Sequence, residues 1–229
     1  MAKSLNKRQI QCDSFEAYHD GKYDGRFDLE LDAVVEEEIR AARAGEIDYA
    51  HFGIVCSSWS TLNKINGGTR SRQKPRGDET LRREIVGNVQ HDQMMRLLLV
   101  FLALGIGFTV ENPLSSFLWH TDDFQELLAR DDIYSVRFDQ CEYHLLPPDH
   151  RALDGDVRVR KSTRLITNIP ELKALECRCT GRHQHVATLG TCRDEHGKLV
   201  RRSTAAGVYP PALCRRWSAA VRAFLDGRR

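Results

Sequence analysis

No stretch of this chain is apolar enough to cross a bilayer. The best candidate, Leu97 to Ala103, falls far short of the ~18–20 residues a membrane helix needs. The N-terminus also lacks the hydrophobic core of a signal peptide. Internal repeats and low-complexity tracts are missing, which excludes a repeat architecture. The seven cysteines are an odd number without a small-scaffold spacing, so no disulfide framework is expected. Reduced thiols in an intracellular protein are expected instead. What is present is the make-up of a globular domain: 229 residues, 41% hydrophobic and 29% charged. That length suits one domain with a proper core.

A net charge of +2 hides an uneven distribution. Residues 1–150 carry 17 Lys/Arg against 25 Asp/Glu, a net −8, and residues 151–229 carry 17 against 7, a net +10. The expectation is a single domain with an acidic core part, 1–150, and a small, irregular, basic C-terminal part, 151–229. Basic residues are also dense between Lys64 and Arg83, where Lys64, Arg70, Arg72, Lys74 and Arg76 precede Arg82 and Arg83. Neutralising phosphates supplies most sequence-independent affinity for nucleic acid, so these residues are candidate backbone contacts. The plainer alternative is a solvated loop and a basic surface tail.

Periodicity gives the elements. Leu31, Val34, Val35, Ile39 and Ala42 have helical spacing within 29–44, with Gly45 as a stop signal. Ile47 to Val55 reads as a strand, Asn63 to Gly77 as a loop, Arg82 to Leu104 as a long helix and Phe108 to Val110 as a strand. Thr121 is placed to cap a helix over 122–129. Ile133 to Phe138 and Arg164 to Thr167 read as strands, and Pro210-Pro211 opens a closing helix to Leu225. Arg8 to Asp13 is a further short strand candidate. Strands alternating with helices predict an α/β fold with a mostly parallel sheet.

Two strand ends carry chemistry. One presents Cys56 in Cys56-Ser57-Ser58-Trp59-Ser60, and the other presents Glu111-Asn112-Pro113. In open parallel sheets ligands bind beyond the strands' carboxyl ends, so a thiol nucleophile and a carboxylate can face one pocket. The alternatives are an inert core thiol and a turn that merely opens a helix.

These strand ends resemble those of cytosine-5 DNA methyltransferases, in which one strand ends in a cysteine turn and a later strand in Glu-Asn. The chain is more closely similar to short methyltransferase-like domains of mobile elements and viruses. It shares with them Glu111 through Trp119 (Glu-Asn-Pro-x-Ser-Ser-x-Leu-Trp), Phe138 through Cys141, Lys161 through Arg164 and Tyr209 through Cys214. The resemblance runs from roughly 28 to 225. It departs from the family at Val55, where the family usually has proline.

The resemblance implies a Rossmann-like methyltransferase fold with flanking helices and S-adenosylmethionine-dependent methylation of cytosine in DNA. Cys56 would add to C6 of the base, Glu111 would donate to N3 and Arg164 would hold O2. The target base would have to flip out of duplex DNA. Ser57, Ser58, Trp59 and Asn112 would then join the basic loop in contacting nucleic acid. The N-terminal strand and glycine turn that would cradle the cofactor are not apparent, since Gly21, Gly25 and Gly45 follow no apolar strand. Asp13 is the candidate for the ribose, and Pro211 for a wall of the pocket. The competing reading is a non-catalytic nucleic-acid-binding domain that has lost the cofactor site.

Cys177-x-Cys179-x3-His183-x-His185 offers two thiolates and two imidazoles, a ligand set suited to zinc. Cys141 and His144 would join only if the fold brought them close. The alternatives are an ordinary loop or histidines that contact nucleic acid.

Overall fold

A computed structural model of the protein describes residues 1–8, 10–12, 18–19 and 22–228. Its central sheet has four strands: β1 (Tyr49–Phe52), β2 (Gly107–Pro113), β3 (Tyr134–Asp139) and β4 (Ser162–Thr167). They lie in the order β1-β2-β4-β3. β1 and β2 are parallel, and β4 is antiparallel to both of its neighbours. The expected mostly parallel sheet is thus corrected to a mixed one. A parallel pair needs a crossover of a dozen residues or more, and the helix α2 (Arg82–Leu104) supplies it between β1 and β2. Between β3 and β4 the chain holds only short 3-10 turns and the strand Val157–Val159. Nothing there returns the chain to its starting edge, so β4 runs back the other way.

Helices cover both faces. α1 (Asp32–Arg43) buries Val34, Val35, Ile39 and Ala42, the stripe that the sequence spacing predicts. With Leu97, Leu98 and Phe101 of α2, α1 packs on Phe108, Val110 and Ile166 of the sheet. α4 (Pro211–Asp226) covers the other face, setting Leu213, Trp217 and Val221 against Val136, Phe138 and Leu165. Each such side chain removed from water contributes about 1.5–3 kcal/mol. α2 is not amphipathic along its whole length. Its second half is apolar and faces the sheet, whereas its first half buries Glu84, Asn88 and His91. Gly105, in the left-handed region at φ 69°, ends it.

α3 (Asp122–Leu128) follows Thr121, but Thr121 Oγ1 bonds the Leu118 carbonyl and lies 3.2 Å from His91 Nε2, so its hydroxyl does not cap the helix. Residues 10–12 belong to no strand, and Asp13 lies outside the described residues. The change of charge at residue 150 marks no structural boundary, because β4 sits inside the sheet and α4 seals its core. Residues 144–161 and 178–208, on either side of β4, have only a small apolar cluster of their own, Leu145, Val159 and Ala206. Among the described residues no helix is long and apolar enough to cross a membrane.

Candidate active site at the strand ends

Past β1 the chain makes one helical turn, Cys56–Trp59. Cys56 and Ser57 are exposed, whereas Ser58 and Trp59 are buried. The turn is fixed from beneath by Arg70, which is 1% exposed. Its guanidinium donates to Ser58 Oγ from Nε (3.2 Å) and Nη2 (2.9 Å), to the Pro75 carbonyl (2.8 Å), to Asn88 Oδ1 (2.8 Å) and to the Glu84 carbonyl (3.0 Å). It also stacks 3.7 Å from the centre of the Trp59 ring. Burial pushes its pKa down to about 10. Only glycine permits this approach at position 87, where a Cβ would lie 2.7 Å from Ser58 Oγ and 2.8 Å from Arg70 Nη2.

The Glu84 carboxylate, also buried, accepts from Thr69 N, Thr69 Oγ1 and Asp78 N at 2.6–2.8 Å. The basic loop is therefore a built element. Three expected nucleic-acid contacts are corrected: Arg70, Ser58 and Trp59 are interior residues that hold the thiol turn. A fourth, Arg76, is clamped by both oxygens of Asp92 (2.7 and 2.9 Å) and by Glu79 (3.2 Å). Charge counting could not anticipate this, because Glu84, Asn88 and Asp92, which answer these arginines alongside Glu79 of the loop, come from α2. Lys64, Arg72 and Lys74 stay exposed and enter no ion pair among the described residues.

Glu111 lies in β2, whose side chains alternate between the two cores. Register pairs His51 with Thr109, so Tyr49, His51, Thr109 and Glu111 share the face toward α4. They form a continuous chain. Trp217 Nε1 donates to Tyr49 Oη (3.0 Å), Tyr49 Oη lies 2.7 Å from Thr109 Oγ1, and Thr109 Oγ1 lies 2.9 Å from His51 Nδ1. His51 Nε2 is then 3.2 Å from Tyr209 Oη, which donates to Glu111 Oε2 at 3.0 Å. Indole can only donate and the chain's last oxygen accepts, so a single direction satisfies every member. Tyr49 gives its proton to Thr109, Thr109 to His51 Nδ1, and His51 Nε2–H to Tyr209. Burial pushes the His51 pKa down to about 4, which keeps the imidazole neutral as this order requires. Tyr209 is held well above the usual phenol range, first by burial and then by Glu111.

The second Glu111 oxygen, Oε1, is buried without a hydrogen-bond partner, and Lys161 Nζ stands 3.9 Å from it. Lys161 also lies 5.6 Å from the centre of the Tyr209 ring. These two charges reach the thiol turn. Desolvation pushes the Cys56 thiol up, Lys161 pulls it down and Glu111 pushes it up. Cys56, Glu111 and Lys161 thus occupy one corner beyond the carboxyl ends of β1 and β2.

Asn112 is 1% exposed and points to the opposite face, donating to the Ile54 carbonyl at 3.2 Å. It ties the two strand ends together, which corrects its expected role as a nucleic-acid contact. Arg164 is corrected as well. It pairs with Asn112 in the sheet and so faces away from Glu111. Its Nε donates to Ser135 Oγ (2.8 Å), its guanidinium lies 5.5 Å from the centre of the Trp119 ring, and burial lowers its pKa. Lys161, three residues earlier, stands where Arg164 was expected. Tyr209 and His51 were likewise not anticipated, although polar Tyr49 and His51 alternating with Ala50 and Phe52 are a visible signal of a wet strand face.

A cleft of about 400 Å³ opens beside the thiol turn, lined by residues that include Val55, Ser57, Arg82, Arg83, Val86 and Gln90. Two arginines and no carboxylate line it. These residues do not fit S-adenosylmethionine, whose ribose needs an acid and whose carboxylate needs a cradle of backbone N–H groups. Pro211 is the exposed first residue of α4.

The structure gathers a group of possible metal ligands in the C-terminal region: Cys141, Cys179, His183 and His185. Cys177 is not among them. It forms a bridge with Phe138 and packs on the second core, so the expected ligand set is corrected by one residue. A second group, His91, Asp92 and Asp123, is compromised because Arg76 already holds both Asp92 oxygens. Comparison with family models, with curated proteins and with solved structures finds no match to this chain.

Proposed function

We propose that the protein is a cytosine-5 DNA methyltransferase-like protein of Rossmann-like descent, whose Cys56–Glu111 corner forms a covalent adduct with cytosine. The observation that carries this reading is the exposed thiol of Cys56 near a carboxylate with one oxygen fixed by Tyr209 and the other buried without a hydrogen-bond partner, 3.9 Å from Lys161 Nζ. That free oxygen is a place for the ring nitrogen of a base. In the step proposed, the Cys56 thiolate forms a bond to C6 and the C5=C6 π pair shifts to make C4=C5. The C4=N3 π pair takes a proton carried by Glu111. Lys161 favours the thiolate before attack but only partly counters the desolvation, which keeps the Cys56 thiol above its ordinary range until substrate arrives. Exposed Lys64, Arg72 and Lys74 contact phosphates, and the base reaches the corner flipped out of the stack.

S-adenosylmethionine, the methyl donor that the resemblance implies, finds neither acid nor glycine cradle among the residues lining the cleft. The chemistry assigned to this chain's own residues therefore ends at the adduct. The same observation favours the second reading, a nucleic-acid-binding domain without turnover.

One experiment separates the two readings. The adduct makes C5 nucleophilic, so in heavy water C5 takes a deuteron and the base returns labelled, with no cofactor required. Mass spectrometry of cytosine oligonucleotides incubated with the protein should show C5 deuteration that Cys56→Ser abolishes. Glu111→Gln should slow it by about 10²–10⁴, the range for a positioned general acid. Salt-dependent binding with no exchange on any oligonucleotide would leave only the binding-domain reading.

A further inference from the structure

The part of the chain formed by residues 144–161 and 178–208, on either side of β4, poses a stability problem. Its buried apolar cluster is limited to Leu145, Val159 and Ala206, while Leu189, Leu199 and Val208 are exposed. Its elements are a parallel pair, Val157–Val159 with Gln184–Val186, and a hairpin of Thr191–Arg193 with Leu199–Arg201. Regions with so little core are ordinarily held by a disulfide or a metal, and Cys141, Cys177, Cys179 and Cys192 form no disulfide.

The chain brings four ligands to one point of this segment. Cys141 lies in the 3-10 turn Gln140–Tyr143 just past β3, and it is fully buried. The parallel bridge of Phe138 with Cys177 sets the following residues alongside that turn. Cys179 N donates to Asp139 Oδ2 (2.8 Å), and Thr180 N and Oγ1 donate to Glu142 Oε1 (2.7 and 3.1 Å), locking Cys179 beside Cys141. Gly181, at φ 71°, then turns the chain back. His183, in the bend before the strand Gln184–Val186, and His185 within it bring their ring centres to 4.8 Å of each other.

Cys179 Sγ lies 3.6 Å from His183 Nε2 and 3.5 Å from His185 Nε2, and all four donor atoms fall within 4.8 Å of one another. Zinc bonds of ~2.3 Å to sulfur and ~2.0–2.1 Å to nitrogen, set tetrahedrally, place such neighbours roughly 3.5 Å apart. The Gly181 N–H points at Cys179 Sγ (3.4 Å), the outer contact that a coordinated thiolate accepts.

We infer that Cys141, Cys179, His183 and His185 form a closed, structural zinc site. Four protein ligands leave no position for substrate, so the ion staples the segment and takes no part in chemistry. Its reach extends to the active corner nonetheless. The strand carrying His185 pairs with Val157–Val159, and Lys161 lies two residues past Val159. The inference stands apart from the methyltransferase reading, since it uses none of that reading's residues as ligands.

The full chain, purified under reducing conditions with zinc present, should carry about one zinc per chain by mass spectrometry. Cobalt substitution should give the intense visible bands of a tetrahedral site together with thiolate charge transfer. Cys141→Ser and His185→Gln should lower zinc content by at least about tenfold, whereas Cys177→Ser and Cys56→Ser should retain it. Should Cys141→Ser fail to fold, chelation of the wild-type chain provides the readout: limited proteolysis should open residues 144–159 and 180–205 only after the metal is removed. Three results overturn the site: wild-type protein without stoichiometric zinc, a metal that depends on Cys177 instead of Cys141, or a Cys141–Cys179 disulfide in place of the metal.

Discussion

Replacing Arg70 with methionine should unfold the protein more readily than any other change in the basic loop. Methionine keeps much of the stem's packing on Trp59 and removes only the guanidinium. Left behind are the Asn88 Oδ1, Pro75 and Glu84 carbonyl acceptors and one face of Ser58, all of which Arg70 alone reaches from this side. The Glu84 carboxylate also loses the cation that helps to keep it ionised in a buried place. Breaking a buried charged cluster from one side costs about 3–5 kcal/mol. For a chain of this length that corresponds to a fall in Tm of roughly 6–20 °C. Urea and thermal unfolding of Arg70→Met, set beside Arg72→Met and Lys74→Met, measure it. The two exposed sites should stay within about 0.5 kcal/mol of wild type. A double-mutant cycle with Ser58→Ala should show coupling of about 0.5–3 kcal/mol. A loss below about 1 kcal/mol for Arg70→Met, or no coupling to Ser58, would mean that the loop is a solvated basic segment after all.

Lys161→Met should raise the pKa of the Cys56 thiol and Glu111→Gln should lower it, read from the pH dependence of Cys56 alkylation at peptide level; two unmoved midpoints would place the three groups apart. Stability should fall as pH drops from ~6.5 toward about 4, because unfolded His51 takes a proton that the folded site refuses. The loss is on the order of 3 kcal/mol. His91, also held low by burial, acts in the same sense, so His51→Gln should flatten only part of the slope in urea melts across that range. Replacing Lys64, Arg72 and Lys74 together with alanine should make duplex binding less salt-dependent, lowering the slope by up to roughly 0.9 for each phosphate left without its cation. Arg76→Ala should leave that slope unchanged, since Asp92 and Glu79 already neutralise the guanidinium.

Most of the local structure is legible in the sequence because it follows from period and punctuation. α2 begins at Arg82 and ends at Leu104 as read, since a left-handed glycine stops it, and Pro211 opens α4 in the same way. The strands that lead to Cys56 and that carry Glu111 are found by their apolar runs. What spacing cannot show is which distant group answers a charge. Arg70 and Arg72 are alike in sequence, yet one is 1% exposed and the other carries no ion pair among the described residues. The difference lies in Gly87, which lets α2 close on the turn, and in Asn88 and Glu84 on that helix. Cys177 and Cys141 illustrate the same point. Cys177 has the better spacing to the histidines, but the bridge to Phe138 turns it to the core and brings Cys179 to Cys141.

The correction to the sheet and the correction to the site have one cause. Had β4 run parallel to β2, its carboxyl end would lie at the edge where Cys56 and Glu111 emerge, and the residues following Thr167 would line the corner. Because β4 is antiparallel, its beginning arrives there. Pro113 pairs with Thr163, and Leu114 N donates to the Ser162 carbonyl at 2.9 Å. The residue just before the strand is therefore carried to Glu111, and that residue is Lys161. Period two then decides the rest: Thr163 and Leu165 share the Glu111 face, and Arg164 must turn to the other side, toward Trp119. In the Lys-x-Thr-Arg string it is the lysine that the topology delivers to the thiol. Arg164→Leu should accordingly leave C5 exchange within a few-fold of wild type, while Lys161→Met should suppress it. The opposite ranking would show that the strand direction does not select the working cation.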